Sequence, residues 1–162
     1  MKSAVIPLIL VLWIVQTIGA QNKDWQNFVA LETTRADVEK LLGKPIKYFE
    51  TSGIYETDFG QFTVWYSSGR CEKGKAGLQY KIRPQLMTRM HVYLPGNSPL
   101  SVYVSDPDYF DKSRLGVPND RRLYYSKDES VIYETLVKAD GSERAHSATI
   151  QPRKGKETLR CR

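Results

Sequence analysis

Six short stretches of the chain combine β-branched and aromatic residues with an alternation of apolar and polar positions, which predicts β-strands. Within Gln61–Tyr66, for example, Phe62, Val64 and Tyr66 fall on one face of the strand. The predicted strands are Ile54–Thr57, Gln61–Tyr66, Thr88–Leu94, Arg122–Ser126, Val131–Lys138 and Glu143–Gln151. Asp58-Phe59-Gly60 and Asp140-Gly141 are typical of hairpin turns. The pattern therefore favours an antiparallel sheet.

Before these strands, the apolar residues recur with the spacing of a helix, which predicts a short helix. Thr34 suits the N-cap, and Asp37 three residues later completes a capping box. Gly43 is expected in a left-handed conformation after the last turn, and Pro45 prevents continuation. The apolar face consists of Val38, Leu41 and Leu42. Because the helix is short, its stability must come from docking that face onto the sheet.

The second half of the chain follows the same plan as the first. Asp106–Phe110 predicts a capped helical turn, so each half becomes one helical element followed by three strands. The tetrapeptide Ile-Tyr-Glu-Thr occurs at both 54–57 and 132–135, but it aligns different strands of the two halves. We predict an α+β fold, an antiparallel sheet with short helices on one face, built from two tandem α-β-β-β units at 31–95 and 100–152. A true duplication stays open.

The first twenty residues predict where the protein works. Lys2 precedes an apolar run from Ala4 to Ile18, and Gly19-Ala20 offers small residues to a signal peptidase. We expect residues 1–20 to be a signal peptide, with one mature domain over 21–162 that is secreted or periplasmic and keeps no stable membrane anchor. An uncleaved anchor is the alternative.

The two cysteines and the positive net charge add to the prediction of an exported protein. In an oxidising compartment, Cys71 and Cys161 predict one disulfide. The net charge of +6 falls to +5 when Lys2 is removed with residues 1–20. Such a charge favours anionic partners, although it also serves solubility.

The helix motif carries a family resemblance. Thr34-Arg35-x-Asp37-Val38-Glu39-x-Leu41-Leu42-Gly43-x-Pro45 resembles the helix of small envelope proteins of the BamE (SmpA/OmlA) type. In that family the helix docks on a three-stranded antiparallel sheet, and tandem copies look like the beta-lactamase inhibitory protein architecture. BamE-type proteins carry a lipobox cysteine, which this chain lacks.

A closer resemblance extends beyond the helix. The helix motif is followed by Tyr66-Ser67-x-Gly69-x-Cys71 and by a terminal Leu159-Arg160-Cys161. This order is similar to that of uncharacterised secreted proteins of soil bacteria. The resemblance implies no particular activity.

No pattern in the chain predicts catalysis, a cofactor or a metal. His91 and His146 lack the neighbouring Cys, Asp or Glu motifs that ligation or acid–base chemistry requires. Ser52, Ser67 and Ser68 precede or approach glycines as turn residues rather than nucleophiles. We therefore expect a protein that is not an enzyme.

Two surfaces remain as candidates for binding. Joining the cysteines is expected to gather a basic patch of Arg70, Lys73, Lys75, Arg153, Lys154, Lys156, Arg160 and Arg162, with Glu72 and Glu157 nearby. The alternative is a merely solvated flank and tail. An aromatic interaction face is expected at Tyr55, Trp65, Tyr80 and Tyr93. The same aromatic residues would equally suit a core.

These expectations converge on a binding role. We expect a non-enzymatic interaction module, secreted or periplasmic, that binds an envelope protein or an anionic envelope component. Nucleic acid is not an expected partner, because aromatic residues are not interleaved with the basic cluster and the compartment is wrong. The alternatives are an inhibitor of a specific hydrolase and an enzyme of unknown type.

Overall fold

The computed structural model describes residues 24–71, 79–96, 98–105, 110–113, 120–156 and 159–161. The predicted signal peptide lies outside these residues, as do Lys73, Lys75 and Arg162 of the basic patch. Among the described residues, no helix is long and apolar enough to cross a membrane.

Antiparallel strands form most of the structure, and helical residues are few. The helix α1 spans Arg35–Leu42, and two 3₁₀ segments span Asp24–Asn27 and Leu100–Val102. The strands are β1 Lys47–Phe49, β2 Ser52–Thr57, β3 Gly60–Tyr66, β4 Met87–Tyr93, β5 Phe110–Ser113, β6 Arg121–Ser126, β7 Val131–Val137 and β8 Glu143–Ile150. All eight belong to one sheet in the order β1-β2-β3-β4-β8-β7-β6-β5. The prediction of an antiparallel sheet with a few short helical segments is confirmed.

Each of the six predicted strands is present, with ends shifted by one or two residues. The sequence patterns missed β1 and β5, so each half of the chain contributes four strands where three were expected. Phe110, expected in a helical turn, instead begins β5, while the remainder of that turn, 106–109, lies outside the described residues. Antiparallel pairing between β4 and β8 joins the two halves.

The predicted capping of α1 is confirmed. The Thr34 hydroxyl accepts a hydrogen bond from the Asp37 amide, and the Asp37 carboxylate accepts one from the Thr34 amide. Gly43 has the expected positive φ of 79°, although its ψ of −168° places it outside the left-handed helical region. Val38 and Leu42 are buried in the hydrophobic core, so the helix is stabilised by the tertiary contact that its short length requires.

The core contains one face of the sheet. Tyr55, Phe62, Val92 and Ala148 form a row of directly paired residues across four adjacent strands, and all are fully buried. The same hydrophobic cluster includes Trp25, Val38, Leu42, Tyr103 and Val104 from segments outside the sheet. Because side chains alternate along a strand, the intervening residues point to the opposite side.

The predicted disulfide is confirmed. Cys71 is bonded to Cys161, with Cα atoms 5.5 Å apart. Backbone hydrogen bonds hold the same two segments together, from the Lys81 amide to Leu159 O and from the Cys161 amide to Gln79 O, each 2.8 Å. The C-terminal segment is therefore attached to the connection between β3 and β4 both covalently and by backbone pairing.

Candidate functional site: the open face of the sheet

The face of the sheet opposite the core presents polar and aromatic side chains, and we call it the open face. Directly paired residues of antiparallel strands point to the same side, so the strand register identifies its members. Trp65 pairs with Arg89 across β3 and β4, and Tyr93 pairs with Ser147, which in turn pairs with Glu134. The centre of the open face consists of Trp65, Arg89, His91, Tyr93, Glu134 and His146.

Two of the four residues predicted to form an aromatic interaction face lie on the open face. Trp65 is 38% exposed and Tyr93 47% exposed. They project from neighbouring strands of a continuous sheet, and each offers a flat apolar ring beside a hydrogen-bonding group. This part of the sheet therefore has side chains suited to protein recognition.

The other two aromatic predictions are wrong, because both residues are buried. Tyr55 is 0% exposed and lies across from Phe62 on the core face, where its hydroxyl is 2.7 Å from the Tyr66 hydroxyl. Tyr80 is 6% exposed and forms a bridge with Arg160 beside the disulfide. Burial is the main reason that the pKa of Tyr66 is raised far above its ordinary value. Tyr55 and Tyr80 therefore contribute to packing rather than to recognition.

The position of Tyr93 depends on a close backbone approach at the β2–β3 turn. Gly60 has a φ of +145°, and a Cβ added to it would lie 2.3 Å from the Tyr93 carbonyl oxygen. Only glycine combines this conformation with this space. The tight hairpin thus brings the start of β3 against the end of β4, where Tyr93 reaches the open face.

Three aromatic rings form a continuous series at the centre of the open face. The rings of His91 and Tyr93 meet edge to face with centroids 4.6 Å apart, and the Tyr93 and His146 centroids are 6.5 Å apart. His91 Nδ1 also lies 3.1 Å from Thr149 Oγ1. Burial, together with the nearby Arg89 charge, lowers the pKa of His91, so its neutral form dominates at pH 7.

One carboxylate at the centre already has partners. Glu134 accepts hydrogen bonds from Arg121 Nη1 at 2.6 Å and from the Ser147 hydroxyl at 3.0 Å. Although burial alone would raise the pKa of Glu134, these bonds and the Arg121 charge hold that pKa below its usual range. Glu134 is therefore an ionised, paired group rather than a general acid.

Arg89 differs from Arg121 because no carboxylate of the described residues is paired with its guanidinium. Its side chain is half-buried, and its Nε is screened from solvent with no hydrogen-bond partner. The guanidinium carbon lies 5.9 Å from the centroid of the Trp65 ring, within cation–π distance. None of the ion pairs among the described residues includes Arg89.

The described residues of the basic patch are divided between two environments. Arg153 is 3.3 Å from an Asp128 carboxylate oxygen, and Lys154 is 2.6 Å from one of Glu129. These two acids lie in the turn after β6, far in sequence from the patch residues with which they pair. The exposed patch residues without an ion pair among the described residues are Arg70, Lys156 and Arg160.

The described part of the chain contains no group of three or more His, Cys, Asp or Glu side chains placed to hold a metal ion. His91 and His146 instead flank the Tyr93 ring. The disulfide is consistent with an oxidising compartment, extracellular or periplasmic.

Sequence reasoning missed Arg89 and Glu134 as members of the central group. The signal for Arg89 was present, because extending the alternation of His91 and Tyr93 by two residues includes position 89. Glu134 gave no comparable signal, since its position beside Ser147 follows from the register between β7 and β8. Only the assembled sheet brings it near Tyr93.

The fold and its open face define a class: an antiparallel sheet protein with an exposed, mixed polar and aromatic surface. No protein-family profile matches the chain, and no curated protein matches it. Among solved structures, the chain is similar to a DUF4309 family protein, YjgB, from Bacillus subtilis, with 14% identity and a TM-score of 0.41. The alignment covers 79% of this chain and 84% of that one. A similarity of this degree assigns neither a family nor a function.

Proposed function

We propose that this protein is a non-enzymatic, secreted or periplasmic interaction module that binds a protein partner through the open face. In this proposal the signal peptide over 1–20 directs export. The two halves of the sheet, with four strands each, form the rigid support, and the short helical segments pack on the face opposite the partner.

The observation that supports the proposal is the joint exposure of Trp65 and Tyr93 around a half-buried Arg89. Trp, Tyr and Arg are the residue types enriched among those that dominate binding energy at interfaces. Trp65, Arg89 and Tyr93 lie on strands that are paired on both sides. Because the backbone is already ordered, little conformational entropy is lost when a partner binds.

The alternative partner is an anionic envelope component bound at the basic patch. Exposed Arg70, Lys156 and Arg160 favour it. The acids paired with Arg153 and Lys154 oppose it, because a bound anion would have to compete with them. Binding of this kind would weaken steeply with salt.

A pull-down from envelope and culture-supernatant extract of the producing organism separates the two. The bait is the oxidised protein, compared with Trp65→Ala, Tyr93→Ala and, as a matched control, Ile46→Ala. Ile46 is 62% exposed and lies outside the centre of the open face. We expect one protein to be retained at high salt by the parent and by Ile46→Ala, with affinity reduced about thirtyfold or more in each aromatic variant.

Other outcomes would reject the proposal. Elution of anionic lipid or polymer at moderate salt, equally from all four baits, would support the basic patch instead. A partner retained equally by Trp65→Ala and Tyr93→Ala would remove the open face from the binding role. If the protein is an inhibitor of a hydrolase, the partner retained at high salt will be that hydrolase. The hydrolase will then lose its activity in a 1:1 complex with the protein.

A further inference from the structure

We infer that the open face receives an acidic side chain of its protein partner, an Asp or Glu carboxylate bound by Arg89. This inference rests on the proposed function, because it specifies the chemistry of the segment that the open face binds.

The first argument is the unmet hydrogen-bonding capacity of Arg89. A guanidinium has five N–H donors in a planar fork, and a half-buried charge is costly unless acceptors are supplied. The Arg89 Nε–H is screened from solvent and unpaired, while Trp65 packs near the guanidinium carbon. Buried Nε–H groups without a hydrogen bond also occur in other arginines, Arg35 and Arg144 among them, so what marks Arg89 as a receptor is its place beside the exposed Trp65 on the open face.

The second argument is a comparison within the same face. Arg121 also projects on the open face, and there Glu134 supplies the carboxylate at 2.6 Å. Glu134 is occupied by Arg121 and Ser147, so it is not available to Arg89. The nearest titratable neighbour along the strand, His91, is held neutral at pH 7 by burial and by Arg89 itself. Among the described residues no carboxylate forms an ion pair with Arg89, so its positive charge can attract an anion from a partner.

The third argument selects a protein carboxylate rather than a free phosphate or a lipid headgroup. Trp65 stands beside Arg89, and Tyr93 lies four residues along β4, about 13 Å away at the rise of an extended strand. A small anion would leave both aromatic surfaces uncovered. An extended segment with a carboxylate and an apolar side chain four residues apart would engage Arg89 and Tyr93 together.

The test uses two matched nine-residue peptides of Gly and Ser, both with Leu at position seven. One carries Asp at position three and the other carries Asn there. Each is titrated into ¹⁵N-labelled, oxidised protein while the Trp65 indole N–H and the Arg89 Nε–H resonances are followed. The proteins are the parent, Arg89→Gln, Arg89→Lys and the control Arg153→Gln, which removes an exposed arginine that is paired elsewhere.

We expect the Asp peptide to shift both resonances in the parent, and to bind about tenfold more weakly when either Asp or Arg89 is neutralised. Arg153→Gln should bind like the parent, and Arg89→Lys should recover part of the affinity, since charge without the planar fork remains. Dispersed spectra of each variant verify that the fold is intact.

Three results would overturn the inference. If the Asp and Asn peptides bind equally and still shift Trp65, the carboxylate is not recognised, although the open face remains a binding surface. If neither peptide shifts Trp65 or Arg89 at millimolar concentration, Arg89 is not a receptor for an acidic segment. The proposed function is then decided separately, by the pull-down with Trp65→Ala and Tyr93→Ala. Inorganic phosphate at the same concentration should leave the Arg89 resonance unchanged, and an equal shift with phosphate would assign Arg89 to small anions instead.

Discussion

At the scale of single residues, the guanidinium groups of Arg35 and Arg89 have different surroundings. Arg35 is buried, with its guanidinium carbon 3.9 Å from the Tyr48 ring centroid and 4.5 Å from that of Tyr66. It also donates to the Gln85 side chain at 2.9 Å. The stacked rings and the acceptor account for a cation in the interior. Among the described residues, Arg89 has one ring contact, with Trp65 at 5.9 Å, and no side-chain acceptor, which is the basis for proposing it as a recognition residue.

Single residues also set a dependence on pH. Because burial lowers the pKa of His91 in the folded protein, the unfolded chain binds a proton more readily. Its contribution to stability is fully present above the unfolded value of about 6.5 and is lost as pH falls through the lower folded pKa. We expect the free energy of unfolding of the parent to decrease below about pH 6.5 relative to that of His91→Asn.

Urea denaturation of both proteins at several pH values between about 5 and 8 measures this difference. His91→Asn keeps a polar atom near the position of Nδ1 but cannot titrate, so it serves as the control. Parallel stability curves for the two proteins over that range would show that His91 does not link protonation to folding.

At the scale of elements, the signals that were local in sequence predicted the structure well. The capping box at Thr34 and Asp37 requires only neighbouring residues, and α1 begins where it predicts. The alternation in β3 similarly identifies Phe62 and Val64 as core residues. β1 gave no such signal, because its three residues are all exposed. Exposure on both faces removes the apolar–polar alternation that reveals a strand.

The aromatic residues mark where sequence reasoning stops. The sequence predicts an exposed face that contains Trp65, Tyr93 and Tyr55, but Tyr55 lies on the core face. Residue type does not separate the two cases, since Tyr suits a core and an interface alike. The pairing of Tyr55 with Phe62 decides the matter, and the alternation of residues within each strand does not fix how two strands are aligned.

A prediction at this scale concerns the N-terminus of α1. Thr34→Ala removes the hydroxyl that accepts from the Asp37 amide, leaving one amide of the first turn without its cap. We expect a loss of about 1 kcal/mol in the free energy of unfolding. Urea denaturation measures it, and Thr34→Ser, which keeps the hydroxyl, should remain near the parent. If Thr34→Ala and Thr34→Ser unfold alike, the cap does not contribute to stability.

At the scale of the whole molecule, the disulfide joins residues 90 positions apart. In the chain-entropy description, a closed loop of this length contributes up to about 4.6 kcal/mol by restricting the unfolded chain. We expect the Cys71→Ser/Cys161→Ser double variant to unfold at lower urea, with a loss of free energy approaching that value.

The same experiment under reductant provides its control. Reduction should bring the parent to the stability of the double variant and leave the double variant unchanged. Equal stability of the oxidised parent and the double variant would mean that backbone pairing, such as that between Lys81 and Leu159, retains the C-terminal segment without the covalent bond.

The strand order has a consequence for the time course of folding. Among the described strands, neighbours within each half are consecutive in the chain, whereas β4 and β8 meet across the whole second half. Local hairpins close rapidly. Pairing between distant segments is slower, because the entropy of closing the long loop is lost before the contacts form. Each half can therefore assemble while the backbone groups along one side of β4 still await β8. While the chain is being synthesised, the unpaired edge of β4 is the part most exposed to aggregation, and pairing with β8 removes this exposure.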